Sequence, residues 1–238
     1  MTKFLSYLKH IIKVILRKDI HVKKEINLRT NWYGQKYLGF FVYDKYINSS
    51  SIVYSFGVGE DISFDIALIN KFNCTVFGFD PTPKSIEFIK RIKPSPNFVF
   101  SPIGIYKFDG IVKFYLPSNP EHVSCSTSNV WNNKSSKANS IDVPVKMFST
   151  ILKELQHKEI DILKLDIEGS EYQALNDILN SKCIIKQILI EFHHRFPTIG
   201  IKQTKKAINK LTEAGYKLAA VSVNYEEFTF VNSKLINS

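Results

Sequence analysis

Residues 51–60, with the sequence SIVYSFGVGE, decide the fold of this 238-residue chain. The apolar run 51–56 is typical of a buried strand, and two glycines, Gly57 and Gly59, follow it. Glycines directly after a strand let the backbone come close to a ligand, and a following helix offers unpaired N–H groups. The stretch therefore predicts a strand, a ligand-binding turn and a helix in succession. A tight turn that binds no ligand is the alternative.

Apolar strands and helices alternate through the rest of the chain. This alternation implies a mostly parallel sheet with helices on both faces, and two final strands with no helix between them imply an antiparallel ending. We therefore predict an α/β, Rossmann-like fold: a mostly parallel seven-stranded sheet with an antiparallel C-terminal strand. Ligands of such sheets bind beyond the carboxyl ends of the strands. The predicted strands are 51–56, 75–79, 98–100, 111–116, 141–145, 160–167, 187–192, 216–223 and 227–231, and the predicted helices are 60–72, 83–92, 148–157, 170–180 and 202–214.

Asp80 ends the second strand of this series, 21 residues after Gly59. An acidic residue at this distance and position can bind both ribose hydroxyls of a nucleotide-like cofactor. Alternatively, Asp80 caps the helix that begins at Pro83. The two roles are compatible.

A third motif, LKLDIEGSE at residues 163–171, follows the most apolar strand. Asp166 and Glu168 lie at the carboxyl end of that strand, where carboxylates are costly to bury without partners. Their partner is predicted to be a cofactor amine, an acceptor hydroxyl or a metal ion. A structural capping role is the alternative.

Four segments occur in an order that resembles the FkbM-type methyltransferase family. The resemblance covers about residues 50–231, and LKLDIEGSEY is its most specific part. The segments are YSFGVGEDISFD (54–65), FGFDPTP (77–83), LKLDIEGSEY (163–172) and IEFHHRF (190–196).

The resemblance implies a class I methyltransferase fold with S-adenosylmethionine as the methyl donor. Carried over to matching positions, Gly57 and Gly59 line the cofactor, Asp80 takes its ribose, and Asp166 lies near its methionine part or near the acceptor. The sequence departs from a common methyltransferase pattern at Ser55, where many such enzymes carry an acid. The methionine ammonium is therefore assigned to Glu60, Asp61 or Asp166, all three of which are predicted cofactor-binding residues.

The motif around Gly57 also separates two classes of enzyme. The third glycine of the dinucleotide pattern GxGxxG is replaced by Ile62. A dinucleotide pyrophosphate uses that closely packed helix terminus, whereas S-adenosylmethionine carries no phosphate. The sequence therefore favours a methyltransferase over a nicotinamide-dependent oxidoreductase. A non-catalytic cofactor-binding accessory protein is the third hypothesis, and the intact motifs around Asp80 and Asp166 argue against it.

Histidines supply the candidate general bases. His193 and His194 leave the strand that follows the LDIEGSE motif, and His193 is predicted to deprotonate an acceptor hydroxyl. His122, in a polar loop at 117–140 that is predicted to bind the acceptor, is the second candidate. Asp166, Glu191 and His193 also form a candidate ligand set for a divalent metal, although spacing across two strands is not diagnostic and no metal is expected.

Residues 1–50 are predicted to form an amphipathic helix and an aromatic connecting region, ahead of a methyltransferase domain at 51–238. Residues 1–24 hold seven lysines and arginines against one aspartate, and thus six of the ten net positive charges. Residues 3–18 carry an apolar stripe opposite a basic face, which predicts peripheral contact with a membrane; a helix packed on its own domain or on a second subunit is the alternative. The remaining body is only mildly basic, so nucleic acid is not an expected partner.

The prediction for function is transfer of a methyl group to a hydroxyl of a sugar, glycolipid or surface-polysaccharide intermediate. Such an acceptor follows from the family resemblance and the basic helix. Three cysteines without a CxxC pair predict a reducing compartment, so the expected location is cytoplasmic, peripheral on the inner face of the membrane. The oligomeric state and the acceptor stay open.

Overall fold

The structure is a computed structural model, and it describes residues 2–115 and 140–236. The helices are α1 (Thr2–Ile15), α2 (Ser63–Phe72), α3 (Pro83–Ile92), α4 (Phe148–Leu155), α5 (Glu171–Asn180) and α6 (Gly200–Glu213). The strands are β1 (Asn31–Gln35), β2 (Leu38–Val42), β3 (Ile52–Phe56), β4 (Thr75–Phe79), β5 (Phe98–Ser101), β6 (Gly104–Ile105), β7 (Gly110–Tyr115), β8 (Ser140–Lys146), β9 (Glu159–Leu165), β10 (Ile184–Glu191), β11 (Tyr216–Val221) and β12 (Glu227–Asn232).

A seven-stranded sheet in the order β11-β12-β10-β9-β3-β4-β5 forms the centre of the fold. Strands β10, β9, β3, β4 and β5 pair in parallel, while β12 runs antiparallel to both of its neighbours. The predicted sheet and its antiparallel C-terminal strand are confirmed. Strand β9 is buried at every position after its first residue, as expected for a parallel strand covered on both faces.

Successive side chains of each strand point to opposite faces of the sheet and pack into two apolar cores, one on each face. On one face Tyr54 and Ile188 pack with helices α4, α5 and α6. On the other face Val53 and Leu189 pack with α2, α3 and the hairpin β1–β2. The period of two along each strand thus produces the three-layer arrangement that the alternation of elements predicts.

The hairpin β1–β2 was not predicted as strands, because residues 27–50 were interpreted as a connecting region. Phe40 of the hairpin packs edge-to-face against Phe64 of α2. Gln187 of β10 fixes the following chain through both backbone groups of Tyr43, at 2.9 and 2.7 Å. The hairpin covers one face of the sheet, and its residue Leu38 lines the cavity described below.

A small second sheet of β6, β8 and β7 lies after β5 in the chain. Strands β7 and β8 pair antiparallel from Gly110 to Tyr115. Most of the loop predicted to bind the acceptor, including the candidate base His122, lies outside the described residues.

Helix α1 attaches to the body through His10, beside the partly buried Ile11 and Val14. His10 is buried, stacks on Tyr225 with ring centroids 3.4 Å apart, and lies 3.6 Å from the buried Asp19. His194 and Arg195 bind the same carboxylate at 2.7 and 2.8 Å. Leu8, Ile12 and Ile15 of α1 are exposed, and no helix in the described ranges is long and apolar enough to cross a bilayer.

Candidate active site

A cavity of about 350 Å³ lies beyond the carboxyl ends of β3, β4 and β9. This is the edge where parallel α/β sheets bind their ligands. All the predicted cofactor-binding residues line it, namely Gly57, Gly59, Glu60, Asp61, Asp80 and Asp166.

Gly57 is required by the close approach of two strand ends. Its φ is +83°, and a Cβ at this position would lie 1.6 Å from the backbone carbonyl oxygen of Asp166. Its carbonyl accepts a 2.8 Å hydrogen bond from Lys164 Nζ, and its N–H donates to Phe79 O. Any side chain here would push β3 and β9 apart at the floor of the cavity.

Asp80 holds the glycine turn and the segment just before α3, while its ribose-binding role stays a prediction. Its Oδ1 accepts from the backbone N–H and the hydroxyl of Thr82, at 2.9 and 2.6 Å, just before α3. Its Oδ2 accepts from the N–H of Gly59 at 2.9 Å and so closes the glycine turn. A carboxylate has about four acceptor positions, so Oδ2 retains one for a ligand hydroxyl.

Glu60 and Asp61 differ in what they offer a ligand. Glu60 is exposed, whereas both oxygens of Asp61 already accept hydrogen bonds, from the N–H of Ser63 at 2.8 Å and from Gln35 Nε2 at 2.9 Å. Asp61 therefore joins the hairpin to the start of α2.

Asp65 is a site residue that the sequence analysis missed. It lines the cavity from the first turn of α2, is 2% exposed, and has an oxygen, Oδ1, with no hydrogen-bond partner among the described residues. Burial raises its pKa to about 6, with the Lys164 ammonium and Ser55 opposing the rise and Asp61 adding to it. A buried anionic oxygen without a partner is costly, so the position fits a cation.

The side chains of three candidate catalytic or metal-binding residues lie close together beside the cavity. Oxygens of Asp166 and Glu191 and one ring nitrogen of His193 all lie within 4.8 Å of one another. Burial and the neighbouring Asp166 carboxylate hold the pKa of Glu191 well above its ordinary value. The predicted strand 160–167 ends earlier, at Leu165, so Asp166 begins the loop and its N–H donates to Phe56 O.

His193 is held between two carboxylates. Its Nδ1 lies 2.7 Å from Glu171 Oε1, and its Nε2 lies 3.2 Å from Glu168 Oε2. Burial alone would lower the pKa of His193, but Glu171 and Glu168 together hold it well above its ordinary value. A base role for His193 stays a prediction, and it requires an acceptor hydroxyl to replace Glu168 at Nε2.

Glu171 is the second residue whose role the sequence did not reveal. It is 1% exposed, and Oε1 accepts from the N–H groups of Ile167 and Gly169 in addition to His193. The LDIEGSE motif thus wraps around one carboxylate, which in turn orients His193. Glu168, in the same motif, has a left-handed backbone conformation with a φ of +53°, which is uncommon for residues other than glycine.

His194 points away from the site. Its Nε2 lies 2.7 Å from Asp19, and the alternation of side chains after β10 separates it from its neighbour His193. Burial lowers the pKa of His194. His194 therefore anchors the N-terminal segment and takes no part in the cavity.

The glycine turn, the acid after β4 and the strand order together define a class I methyltransferase. Residues 51–218 match the methyltransferase FkbM domain, and the chain belongs to this family. The family resemblance stated from the motifs is confirmed, and residues 51–218 form a methyltransferase domain.

Curated relatives include the probable methyltransferase-like protein 24 of Homo sapiens, 23% identical over 164 residues that make up 68% of this chain and 37% of that protein. The Rattus norvegicus protein of the same name is 22% identical over 66% of this chain and 36% of that protein. The chain thus spans little more than a third of the length of these relatives.

Solved structures with a similar fold are distant. A fibrillarin pre-rRNA processing protein of Methanococcus jannaschii is 12% identical, with a TM-score of 0.46 over 78% of this chain and 68% of that chain. A precorrin-6y C5,15-methyltransferase of Geobacter metallireducens is 12% identical, with a TM-score of 0.41 over 79% of this chain and 82% of that chain. No substrate follows from likenesses of this kind.

Proposed function

We propose that this chain transfers the methyl group of S-adenosylmethionine to a hydroxyl of a sugar, glycolipid or surface-polysaccharide intermediate. Family membership supports S-adenosylmethionine as donor. The single observation that carries the proposal is a cavity whose walls match the two ends of this donor. A carboxylate that can accept a hydrogen bond from a ribose hydroxyl lies beside the glycine turn, and a buried carboxylate with an unpaired oxygen lies in the first turn of α2.

The donor fits the cavity at its adenosine end and at its methionine end. The acceptor position left on Asp80 Oδ2 suits a ribose hydroxyl. The unpaired Oδ1 of Asp65 suits the methionine ammonium, and the cavity-lining Lys164 suits the methionine carboxylate. Asp65 thus replaces Glu60, Asp61 and Asp166 as our preferred partner for the ammonium, because its oxygen is buried and unpaired.

The chain's own residues then act on the acceptor. When bound, S-adenosylmethionine supplies a methyl group on a positively charged sulfur. The acceptor oxygen forms the new C–O bond, the old C–S bond leaves its electron pair on sulfur, and the hydroxyl proton passes to the cluster of Asp166, Glu191 and His193. Positioning of the acceptor oxygen in line with the methyl group contributes most of the acceleration.

A carbohydrate acceptor agrees with the polarity of the cluster. Carboxylates accept hydrogen bonds from hydroxyl groups, and sugar hydroxyls are arranged to supply several at once. Asp166 and Glu168 both line the cavity on the side of β9. Their charges repel phosphate groups, which argues against a nucleic-acid acceptor, because each of its sugars is flanked by phosphates, unlike a sugar hydroxyl away from the phosphates of its carrier.

We also propose that α1 lies on the surface of an anionic membrane, on the cytoplasmic face. Its exposed apolar residues are Leu8 (46%), Ile12 (49%), Ile15 (73%) and, just beyond its end, Leu16 (59%). Lys13, Arg17 and Lys18 beside them are exposed as well. Apolar side chains flanked by lysine and arginine match a surface of acidic lipids.

The anchor of α1 links this membrane face to the active site. Asp19, which follows α1, binds His194 and Arg195 directly after the site residue His193. A lipid-linked sugar held at the membrane would therefore be presented near the carboxyl end of β10.

Calorimetry followed by a methyl-transfer assay tests the proposed function. We expect S-adenosylmethionine to bind and NAD to bind far more weakly. Labelled methyl groups should pass to nucleotide sugars, lipid-linked sugars or polysaccharide fragments rather than to amines or RNA. Tighter binding of NAD, or methyl transfer to nitrogen alone, would contradict the proposal.

The membrane proposal is tested by changing Leu8, Ile12, Ile15 and Leu16 to serine. His10 and all basic residues remain, so the contact of α1 with the body is preserved. We expect salt-sensitive binding of the parent to vesicles containing phosphatidylserine, and loss of most of it in the variant without a drop in melting temperature. Equal sedimentation of both proteins would refute the membrane role, and a large loss of stability would assign the face to a protein contact.

A further inference from the structure

The cluster of Asp166, Glu191 and His193 has the composition of a metal site. Its two carboxylates and one imidazole come from the ends of neighbouring strands β9 and β10, and their ligand atoms lie within 4.8 Å of one another. Three protein ligands leave positions open on an octahedral ion. Of the three, Asp166 also lines the cavity, so the open positions face the predicted acceptor.

Glu171 provides independent support, because it prepares His193 as a ligand. Metal-binding histidines almost always donate their second ring N–H to a carboxylate or carbonyl. His193 Nδ1 lies 2.7 Å from Glu171 Oε1, and Glu171 is 1% exposed and fixed by the N–H groups of Ile167 and Gly169. This contact fixes the ring orientation, and Nε2, which lies 3.2 Å from Glu168 Oε2, is the nitrogen left for a metal ion that displaces Glu168.

The charge around the cluster also calls for a cation. Four carboxylates, those of Asp166, Glu168, Glu171 and Glu191, gather at the two strand ends. Lys164 contacts Asp166, and His193 contacts Glu168 and Glu171. Carboxylates crowded together at a partly buried site are stabilised in their ionised form when a divalent ion binds between them.

We propose that Asp166, Glu191 and His193 Nε2 bind one divalent metal ion, of the Mn²⁺ type, which holds the acceptor hydroxyl for methyl transfer. The inference rests on the proposed function for its chemical purpose. The two carboxylates suit Mn²⁺, and Mn²⁺ accepts an imidazole ligand more readily than the harder ions Ca²⁺ and Mg²⁺. A bound ion lowers the pKa of a coordinated hydroxyl, so the acceptor oxygen becomes a better nucleophile. His193 then acts as a ligand instead of a base, and the hydroxyl proton passes to the Glu168 carboxylate, which lines the cavity beside the cluster.

The test measures Mn²⁺ binding to the full chain after treatment with chelator and desalting. Loss of the electron paramagnetic resonance signal of free Mn²⁺ gives the stoichiometry and Kd without any acceptor. We expect one ion per chain. Glu191→Gln and Asp166→Asn should abolish binding, and Glu171→Gln, which weakens the support of His193 without removing a ligand, should weaken it about 10- to 100-fold.

Glu154→Gln serves as the matched control, because Glu154 pairs with Lys146 at the surface and contacts no cluster residue. This variant should bind Mn²⁺ like the parent. The parent measurement stands by itself if a cluster variant fails to fold. A folded parent that binds no Mn²⁺ at millimolar concentration, or Glu191→Gln that binds as tightly as the parent, would overturn the metal site.

Binding of S-adenosylmethionine to the same chelator-treated protein distinguishes failure of the metal site from failure of the proposed function. If the donor binds and methyl transfer proceeds without metal, the metal inference fails and the proposed function stands. If Mn²⁺ binds but the donor does not, the proposed function fails at the cofactor cavity.

Discussion

The buried charge of Asp65 should lower the stability of the free protein and strengthen its binding of the methyl donor. Asp65→Asn preserves the shape of the side chain and removes its charge. Burial raises the pKa of Asp65 from an ordinary value of 3.8 to about 6, although Lys164 opposes the rise. Each unit of pKa corresponds to about 1.4 kcal/mol, so the buried charge costs at most about 3 kcal/mol of folding free energy.

The sign of this effect defines a pH window. Between pH 3.8 and about 6 the folded state keeps a proton on Asp65 that the unfolded chain has lost, so the free energy of unfolding falls as the pH rises. Above pH 6 the full cost is present. Asp65→Asn should therefore equal the parent near pH 4 and exceed it by about 1–3 kcal/mol near pH 8.

Urea unfolding at the two pH values, combined with calorimetry, measures both sides of the effect. The lost charge-assisted contact with the methionine ammonium contributes about 1.5–3 kcal/mol, which corresponds to about 10- to 150-fold weaker binding of S-adenosylmethionine. Asp142→Asn, which removes an exposed partner of Lys113, should change neither quantity. An Asp65→Asn variant that gains no stability at pH 8, or that binds the donor like the parent, would refute the reasoning.

Three further variants test the frame of the site. Asp80→Ala should weaken donor binding about tenfold or more, because the ribose contact is lost. It should also lower the melting temperature by several degrees, because the N–H groups of Gly59 and Thr82 lose their hydrogen-bond acceptor. A folded variant with unchanged affinity in calorimetry would exclude Asp80 from the site. Gly57→Ala should cost more than about 3 kcal/mol in urea unfolding, since its Cβ meets the carbonyl of Asp166, and a cost below 1 kcal/mol would contradict the close approach of β3 and β9. Asp19→Asn should cost about 1–3 kcal/mol in the same assay, because the buried Asp19 carboxylate is the shared partner of His194 and Arg195; a neutral result would show that this carboxylate does not stabilise the attachment of the N-terminal segment.

The sheet was predictable because its strands are apolar and end at conspicuous residues. Strand β4 and helix α3 match their predicted bounds, since Asp80 and Pro83 mark the end of one and the start of the other. The hairpin β1–β2 was missed because residues 27–50 mix aromatic and polar side chains without the alternation of a half-buried strand.

The sequence predicted only those site residues that lie within a recognisable motif. Asp65 lies in the first turn of α2, where an acidic residue is ordinary and signals nothing by itself. His193 and His194 are indistinguishable in sequence, yet one faces the carboxylates of the site and the other binds Asp19. The distance between Asp166 and Glu191 depends on the pairing of β9 with β10, which no local pattern fixes.

The central claim is that the cavity binds S-adenosylmethionine between Asp80 and Asp65. A crystal structure of the chain with S-adenosylhomocysteine, the product that the donor leaves, tests it most directly. The account predicts a ribose hydroxyl within hydrogen-bond distance of Asp80 Oδ2 and the amino group within hydrogen-bond distance of Asp65 Oδ1. A product molecule bound outside this cavity, or bound in it with its amino group away from Asp65 and its ribose away from Asp80, would contradict the account.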